Sequence, residues 1–268
     1  MLKNITLGQF FPGESVLHKM DPRIKIILVL LFIVLIFFVK TFYGYLAIAA
    51  FVALLIISTG VPVRYILRGL KPIFFIVLLT FVLNSLMTPG ENPLFAWRFI
   101  NITKEGLKNA TFLSVRLILL VIGSQLLTLT TSPLGLTDGI ERLANPLKKI
   151  GFPAHEMAMM MTIALRFIPT LLTETDRIMK AQISRGADFE TGNLIQKAKS
   201  LVPLLVPLFV SAFRRADELA LAMEARCYQG GQGRTRMKVL KTSKYDAYGT
   251  LVFLVLVAAI VAENIWLV

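Results

Sequence analysis

The chain of 268 residues holds a single cysteine, Cys227, and two histidines, His18 and His155. One thiol excludes an internal disulfide and any multi-cysteine metal site. The histidines stand far apart in sequence, with no Ser/His/Asp or Cys/His spacing around them, and make a weak case for a metal. There is no Gly-x4-Gly-Lys-Ser/Thr segment, so the chain has no phosphate-cradling loop of its own. Gly230-Gly231-Gln232-Gly233 lacks the lysine and a preceding strand and reads as a flexible linker. Asp138-Gly139 followed by Arg142 has the start of a phosphatidyl-transferase signature without the two later aspartates that would hold metal ions. Acidic residues are scarce, 16 against 29 Lys and Arg. Together these absences weigh against an enzyme.

What is abundant is apolar. With 56% hydrophobic residues, mean hydropathy of +0.70 and several long uncharged runs, the chain reads as an integral membrane protein. A net charge of +13 raises the possibility of nucleic acid, but in a membrane protein the cations must first be sorted by side. Residues 131–245 hold 17 of the 29 basic residues, as expected for a cytoplasmic segment beside an anionic leaflet. The membrane absorbs the charge, and no nucleic-acid partner is implied.

Residues 1–23 carry Lys3, Lys19 and Arg23 with turn signals at Phe11-Pro12-Gly13 and Asp21-Pro22, and read as an ordered cytoplasmic lead-in, not a cleaved signal. Residues 26–63 are apolar except for Lys40. As one helix they would reach roughly 57 Å, nearly twice a bilayer core, so the run must fold back. Lys40 with Phe42-Tyr43-Gly44 supplies the turn, giving spans at 24–39 and 42–60. Arg64, Arg68 and Lys71 form a basic loop before Pro72, a favourable first-turn residue, and a third span is expected at 72–88. An outer loop with Pro89-Gly90, Pro93, Trp97 and Arg98 leads to a fourth at 107–130. Arg116 lies inside that span, either as a functional intramembrane charge or as a side chain snorkelling to the outer interface. The last span is expected at 246–267. Lys40, Arg98, Lys104 and Lys108 are then the only outer cations, which puts the N-terminus inside and the C-terminus outside.

The expected class is therefore all-α: a polytopic membrane protein with about five transmembrane helices and a cytoplasmic domain of about three helices. The expected divisions are a lead-in at 1–23, a four-span region at 24–130, a cytoplasmic domain at 131–245 and a last span at 246–268. Within the cytoplasmic domain a short helix is expected near 137–150. The apolar stretches at 154–173 and 201–213 are expected as helices at the inner surface: the first carries Arg166 near its middle followed by Pro169, and the second is too short to cross and contains Pro203 and Pro207.

That domain contains a repeat. Asp176, Ala181 and Arg185 recur 41 residues later as Asp217, Ala222 and Arg226. The arginines sit among small residues, Ser184 and Gly186 in one copy, Ala225 and Cys227 in the other. Gly186 can end the first helix, while the second stop signal comes late, at Gly230 and Gly231, so both arginines fall near helix C-termini. A terminal arginine is commonly only a cap that complements the helix dipole; the shared spacing to Asp and Ala points instead to two similar docking sites. The flanks differ in charge, Arg177 in one copy against Glu218 in the other. Met157, Met159, Met160 and Met161, followed by the second apolar piece around Leu204, offer an adaptable partner surface, because unbranched, polarizable side chains repack against different shapes.

The paired Ser184-Arg185-Gly186 and Ala225-Arg226-Cys227 motifs, the lead-in Gly13-Glu14-Ser15-Val16-Leu17-His18 with Asp21-Pro22-Arg23-x-Lys25, and the late single span resemble the transmembrane coupling subunits of energy-coupling factor transporters. The resemblance covers essentially the whole chain. The family's usual motif is Ala-Arg-Gly; here Ser184 replaces Ala and Cys227 replaces Gly, and a cysteine adopts a left-handed turn less readily. The resemblance implies a non-enzymatic subunit with no cofactor of its own. It implies two ATP-binding cassette ATPases, each taking one Arg motif into a groove and binding the ATP. It further implies a substrate-binding membrane partner, for a vitamin or similar micronutrient, packed on the apolar face that includes Met157, Met160, Met161 and Leu204. The competing class is a lipid-modifying membrane enzyme that clamps phosphate with Arg166, Arg185 and Arg226.

Overall fold

The computed structural model describes residues 10–39, 41–88, 93–97, 100–189, 193–230 and 240–267. Lys3, Lys40, Pro89-Gly90, Arg98 and Gly231–Gly233 lie outside them. The described chain is almost entirely helical and divides into two compact units. One holds the residues up to Gly139 together with those from Leu240 on; the other holds Ile140 to Gly230.

In the first unit a short α1 (Val16–Lys19) precedes four long helices, α2 (Pro22–Phe38), α3 (Phe42–Thr59), α4 (Val63–Met87) and α5 (Lys104–Thr130), and the unit is completed by α9 (Lys244–Leu267). Each long helix is apolar on nearly all sides, as expected where lipid replaces water as the surrounding solvent. Their ends follow local chemistry. Asp21 caps α2 by accepting the Arg23 N–H at 2.9 Å, with Pro22 in the first turn. Thr103 caps α5 by accepting the Gly106 N–H at 3.0 Å, and α3 closes on Gly60 in the left-handed region, φ +65°. The core lies between α2, α3, α5 and α9, where Ile36, Ile48 and Ile260 are fully buried with Phe32, Val39, Tyr45 and Phe253. The α2–α5 approach needs Gly123: a Cβ there would stand 2.4 Å from the Phe32 ring.

Three expectations are corrected. Pro72 does not open the third span but lies inside α4, which begins at Val63. A proline removes one helical N–H bond, a loss that membrane helices accommodate by local adjustment; the basic residues Arg64, Arg68 and Lys71 are therefore helical. The outer loop contains a two-stranded antiparallel hairpin, β1 (Pro93–Trp97) with β2 (Ile100–Thr103), that runs directly into α5. The helix expected near 137–150 starts earlier, as α6 (Pro133–Ala144), because Pro133 serves as a first-turn residue, and then tightens into a 3-10 turn at Asn145–Ile150.

Six helices are long and apolar enough to cross a membrane by length and composition: α3, α4, α5, α9, and in the second unit α7 (Ala154–Ser184) and α8 (Leu194–Glu224). At 17 residues, about 26 Å, α2 falls somewhat short of a 30 Å hydrocarbon core. The chain is a multi-pass membrane protein.

One polar cluster ties the start of α2 to the start of α9 and the end of α5. Asp246 accepts the backbone N–H of Asp21 at 2.7 Å and that of Ser243 at 2.6 Å. Asp21 holds Arg23 in a two-oxygen ion pair, 2.6 Å at the shortest, and Lys25 donates to the Thr130 carbonyl and to Thr131 Oγ1, both at 3.1 Å. Asp21, Lys25 and Asp246 are all buried, and a buried charge is tolerable only with such partners. Asp246→Ala leaves the Asp21 and Ser243 N–H groups without their acceptor and removes one of the cluster's two carboxylates. The expected loss is about 2–5 kcal/mol of stability, read as a lowered thermal midpoint in detergent; a midpoint unchanged from wild type would show the cluster to be incidental.

Candidate functional site

In the second unit α7 and α8 are each 31 residues long and form an antiparallel helical hairpin. Asn193 and Gln196 start α8 with a capping box, so the second helix nucleates directly after the first motif. Proline does not divide either helix: Pro169 lies inside α7, and Pro203 and Pro207 inside α8. The 13-residue piece expected at 201–213 is thus the middle of a longer helix, for the reason given for Pro72.

The repeated arginines sit at repeated helix ends. At the end of α7, Gly186 adopts φ +87°, its N–H donates to the Ile183 carbonyl at 2.9 Å, and the Ala187 N–H donates to Gln182 at 3.0 Å. At the end of α8, Cys227 adopts φ +55°, its N–H donates to Glu224 at 2.8 Å, and the Tyr228 N–H donates to Met223 at 3.1 Å. Each donor and acceptor of the second set lies 41 residues after its counterpart. Both are Schellman closures, in which a left-handed residue turns its own and the next N–H back onto the last free carbonyls. The late stop at Gly230 and Gly231 is corrected: Cys227 itself takes the left-handed position, despite its Cβ.

This geometry separates the two arginines from the capping role. Backbone N–H groups, not guanidinium groups, satisfy the carbonyls at both ends. Arg185 and Arg226, each the residue before the left-handed one, are exposed and make no ion pair among the described residues. Ser184, Gly186, Ala225 and Cys227 are exposed beside them, as are Ala181, Ala222 and Asp217, while Asp176 is half-buried. Small neighbours leave each planar, five-donor fork accessible to a partner's carboxylates or carbonyls.

The repeat extends into the packing. The half-buried positions Leu171, Glu174, Ile178 and Gln182 of α7 match Ala212, Arg215, Leu219 and Met223 of α8 at the same 41-residue offset. In an antiparallel hairpin of two equivalent helices, equivalent positions meet only where the pair crosses. There Arg215 Nη2 donates to Glu174 Oε2 at 2.9 Å. Nearer the loop, Gln182 Nε2 donates to the Pro203 carbonyl at 3.3 Å. Arg177 and Glu218, the other charge-reversed pair, are both exposed.

The apolar face differs from expectation in one residue. Met157, Met160 and Met161 are exposed, Met160 by 59%, but Leu204 is only 6% exposed and packs inward. Met159 is half-buried and its sulfur accepts from Tyr228 Oη at 3.0 Å. What the residue-by-residue reading missed is the stripe on α8 formed by Leu201, Leu205, Phe209 and Phe213 with Val202, Val206 and Val210, all exposed. Its signal was in plain view, as four-residue spacing, but was hidden by assuming that the prolines broke the helix.

The histidines are held structurally. His18 bonds Ser15 Oγ at 2.7 Å and the Phe11 carbonyl at 2.9 Å, and His155 Nδ1 lies 2.9 Å from Glu141 Oε1. Among the described residues no three His, Cys, Asp or Glu groups are placed to hold a metal ion.

The family described as cobalt transport protein, CbiQ, matches residues 13–239. A protein of Clostridium kluyveri named energy-coupling factor transporter transmembrane protein EcfT is 61% identical over 267 residues, covering 99% of each chain. Proteins of the same name from Thermosediminibacter oceani and Bacillus subtilis are 53% and 46% identical, over 99% and 97% of this chain and 100% and 98% of their own. These are membrane components of transporters and not enzymes, which sets aside the lipid-modifying alternative. With the match spanning both units, the chain belongs to the family of energy-coupling factor transporter transmembrane proteins.

Proposed function

We propose that this subunit couples ATP hydrolysis by two partner ATPases to uptake of a vitamin or similar micronutrient through a separate substrate-binding membrane protein. The observation that carries the reading is the pair of equivalent helix closures, each capped by backbone and each leaving one exposed arginine in the same position. Arg185 and Arg226 each dock one ATPase, which binds the ATP; Ser184, Gly186, Ala225 and Cys227 form the close-approach surface. Asp176, Ala181, Asp217 and Ala222 belong to the same motif. The exposed faces of α7 and α8, with Met157, Met160 and Met161, receive the substrate-binding partner. Residues 131–245 form the cytoplasmic coupling domain, with the N-terminus inside and the C-terminus outside, as the charge distribution supports. Motion of the docked ATPases passes through the α7–α8 crossing to that face.

Docking through desolvated guanidinium groups makes each arginine a hot spot worth at least about 2 kcal/mol. Arg185→Glu or Arg226→Glu should therefore weaken co-purification of the ATPases about 30-fold or more, and the double variant should abolish it. Full ATPase retention by the double variant would remove the docking role.

The second closure generates its own expectation. A non-glycine residue in the left-handed region costs roughly 1–2 kcal/mol, so Cys227→Gly should hold the ATPase at least as well as wild type. Cys227→Val, β-branched and least tolerant of that backbone, should loosen the Arg226 site while sparing the Arg185 site. Selective loss is read by pull-down in an Arg185→Glu background, where one ATPase remains to be lost.

For the apolar face, Met160→Glu or Phe209→Glu should release the substrate-binding partner and leave the ATPases bound. Retention of every candidate partner by both variants, measured by co-purification, would place the partner elsewhere.

A further inference from the structure

Arg116 is the charge that the coupling reading leaves unused. It stands on α5 in line with Lys104, Lys108 and Phe112, at successive four-residue intervals, so one stripe carries three cations from the first residue of the helix down into the membrane unit. Arg116 does not snorkel freely. Its Nε donates to Tyr45 Oη at 2.8 Å and its Nη2 to the Val39 carbonyl at the end of α2 at 3.4 Å. The guanidinium lies over the rings of Phe37 and Tyr45, 5.4 and 5.9 Å from their centroids. Tyr45 in turn stacks on Phe112, whose ring holds the Lys108 ammonium at 5.7 Å. Aromatic faces thus aim two cations in succession.

These contacts occupy two of the five guanidinium N–H groups. Among the described residues Arg116 forms no ion pair, although a cation within a span is ordinarily paired. It borders a cavity of about 320 Å³ shared with Tyr45, Asn84, Asn109 and Phe112, and among the described residues no carboxylate lines that cavity. Asn109 is exposed, and its amide makes no hydrogen bond among the described residues. The cavity sits where α2 and α4 end and α3 and α5 begin, and short α2 brings that level down to Arg116. Val39 and Leu113 complete its lining, and Phe37, whose ring lies against the guanidinium, is 58% exposed. The site therefore offers donors and positive charge within an apolar rim.

We propose that this cavity binds the phosphate of an anionic phospholipid, with Arg116 and Lys108 supplying charge, Asn109 a further donor, and the rim receiving the start of the acyl chains. A phosphate oxygen supplies a counter-ion that the described residues do not, and the apolar lining favours a lipid over a free anion. In the orientation proposed above the lipid belongs to the outer leaflet; the binding itself is independent of that orientation and of the ATPase docking.

The test uses the full chain with its ATPases in nanodiscs of equal phosphatidylglycerol and phosphatidylcholine, re-extracted into detergent, with the retained lipid measured by mass spectrometry. Wild type should retain phosphatidylglycerol preferentially. Arg116→Gln should lower that retention about tenfold, the effect of losing one well-formed charged contact. Because Arg116 also caps α2, Lys108→Gln and Asn109→Leu, both exposed and away from that carbonyl, provide variants that keep the fold; each should give a partial loss with ATPases still bound. Wild-type retention in all three variants overturns the site. Equal retention of phosphatidylcholine overturns the anionic selectivity, and displacement of the lipid by excess inorganic phosphate overturns the lipid assignment.

Discussion

A helix that stops leaves its last carbonyls without donors, and in an apolar surrounding each orphan is costly. How four helix ends in this chain meet that demand determines which cations are free to act. The end of α5 is met by Lys25, which donates to the Thr130 carbonyl. The end of α2 is met by Arg116 at Val39 and by the Asn264 amide at Phe38. The ends of α7 and α8 are met by their own backbone, folded back through Gly186 and Cys227. In the membrane unit the cap engages some of a cation's N–H groups. In the hairpin the cap consumes only peptide N–H groups, and the arginine beside it remains exposed. An arginine near a helix C-terminus closes the cap in one place and stands apart from it in another, and the left-handed residue after Arg185 and Arg226 makes the difference.

The hairpin also shows why the two copies of a duplicated motif cannot remain identical. When equivalent helices pack antiparallel, the residue at the crossing faces its own counterpart. Two glutamates or two arginines there would repel; Glu174 and Arg215 attract, with both side chains about a third exposed. At that exposure the pair contributes modestly to stability, and its larger effect is on register, because sliding either helix by one turn separates the charges. Arg177 and Glu218 are reversed in the same way but are both exposed.

Much of this was legible locally. Long apolar runs identified membrane helices, Gly186 marked a helix end, and a 41-residue spacing revealed the duplication, because each depends on residues close in sequence or on simple repetition. Proline misled twice, at Pro72 and at the Pro203–Pro207 pair, since a residue that breaks a water-exposed helix costs less where side-chain packing and an apolar surround hold the helix together. Leu204 was assigned with its apolar neighbours to an exposed face, and only the packing of α8 turns it inward, at 6% exposure. The Asp21–Asp246 contact joins residues 225 apart, and no local pattern announces it. Cys227 shows the limit from the other direction: its chemistry argued against a left-handed turn, and the demand of the helix end prevailed.

The distribution of burial then separates the tasks of the two units. The membrane unit has a continuous core, with α2, α3, α5 and α9 contributing fully buried side chains and a buried ionic cluster fastening their ends. The hairpin has little core of its own: α7 buries Ala154 and Ala158, and α8 buries Leu204. Helices of 31 residues held by so few contacts are stable only if their exposed apolar faces are covered by lipid or by partner chains. The same economy permits movement. An element whose burial must be completed from outside has little internal packing of its own to disrupt, so two stiff helices can shift together at small internal cost.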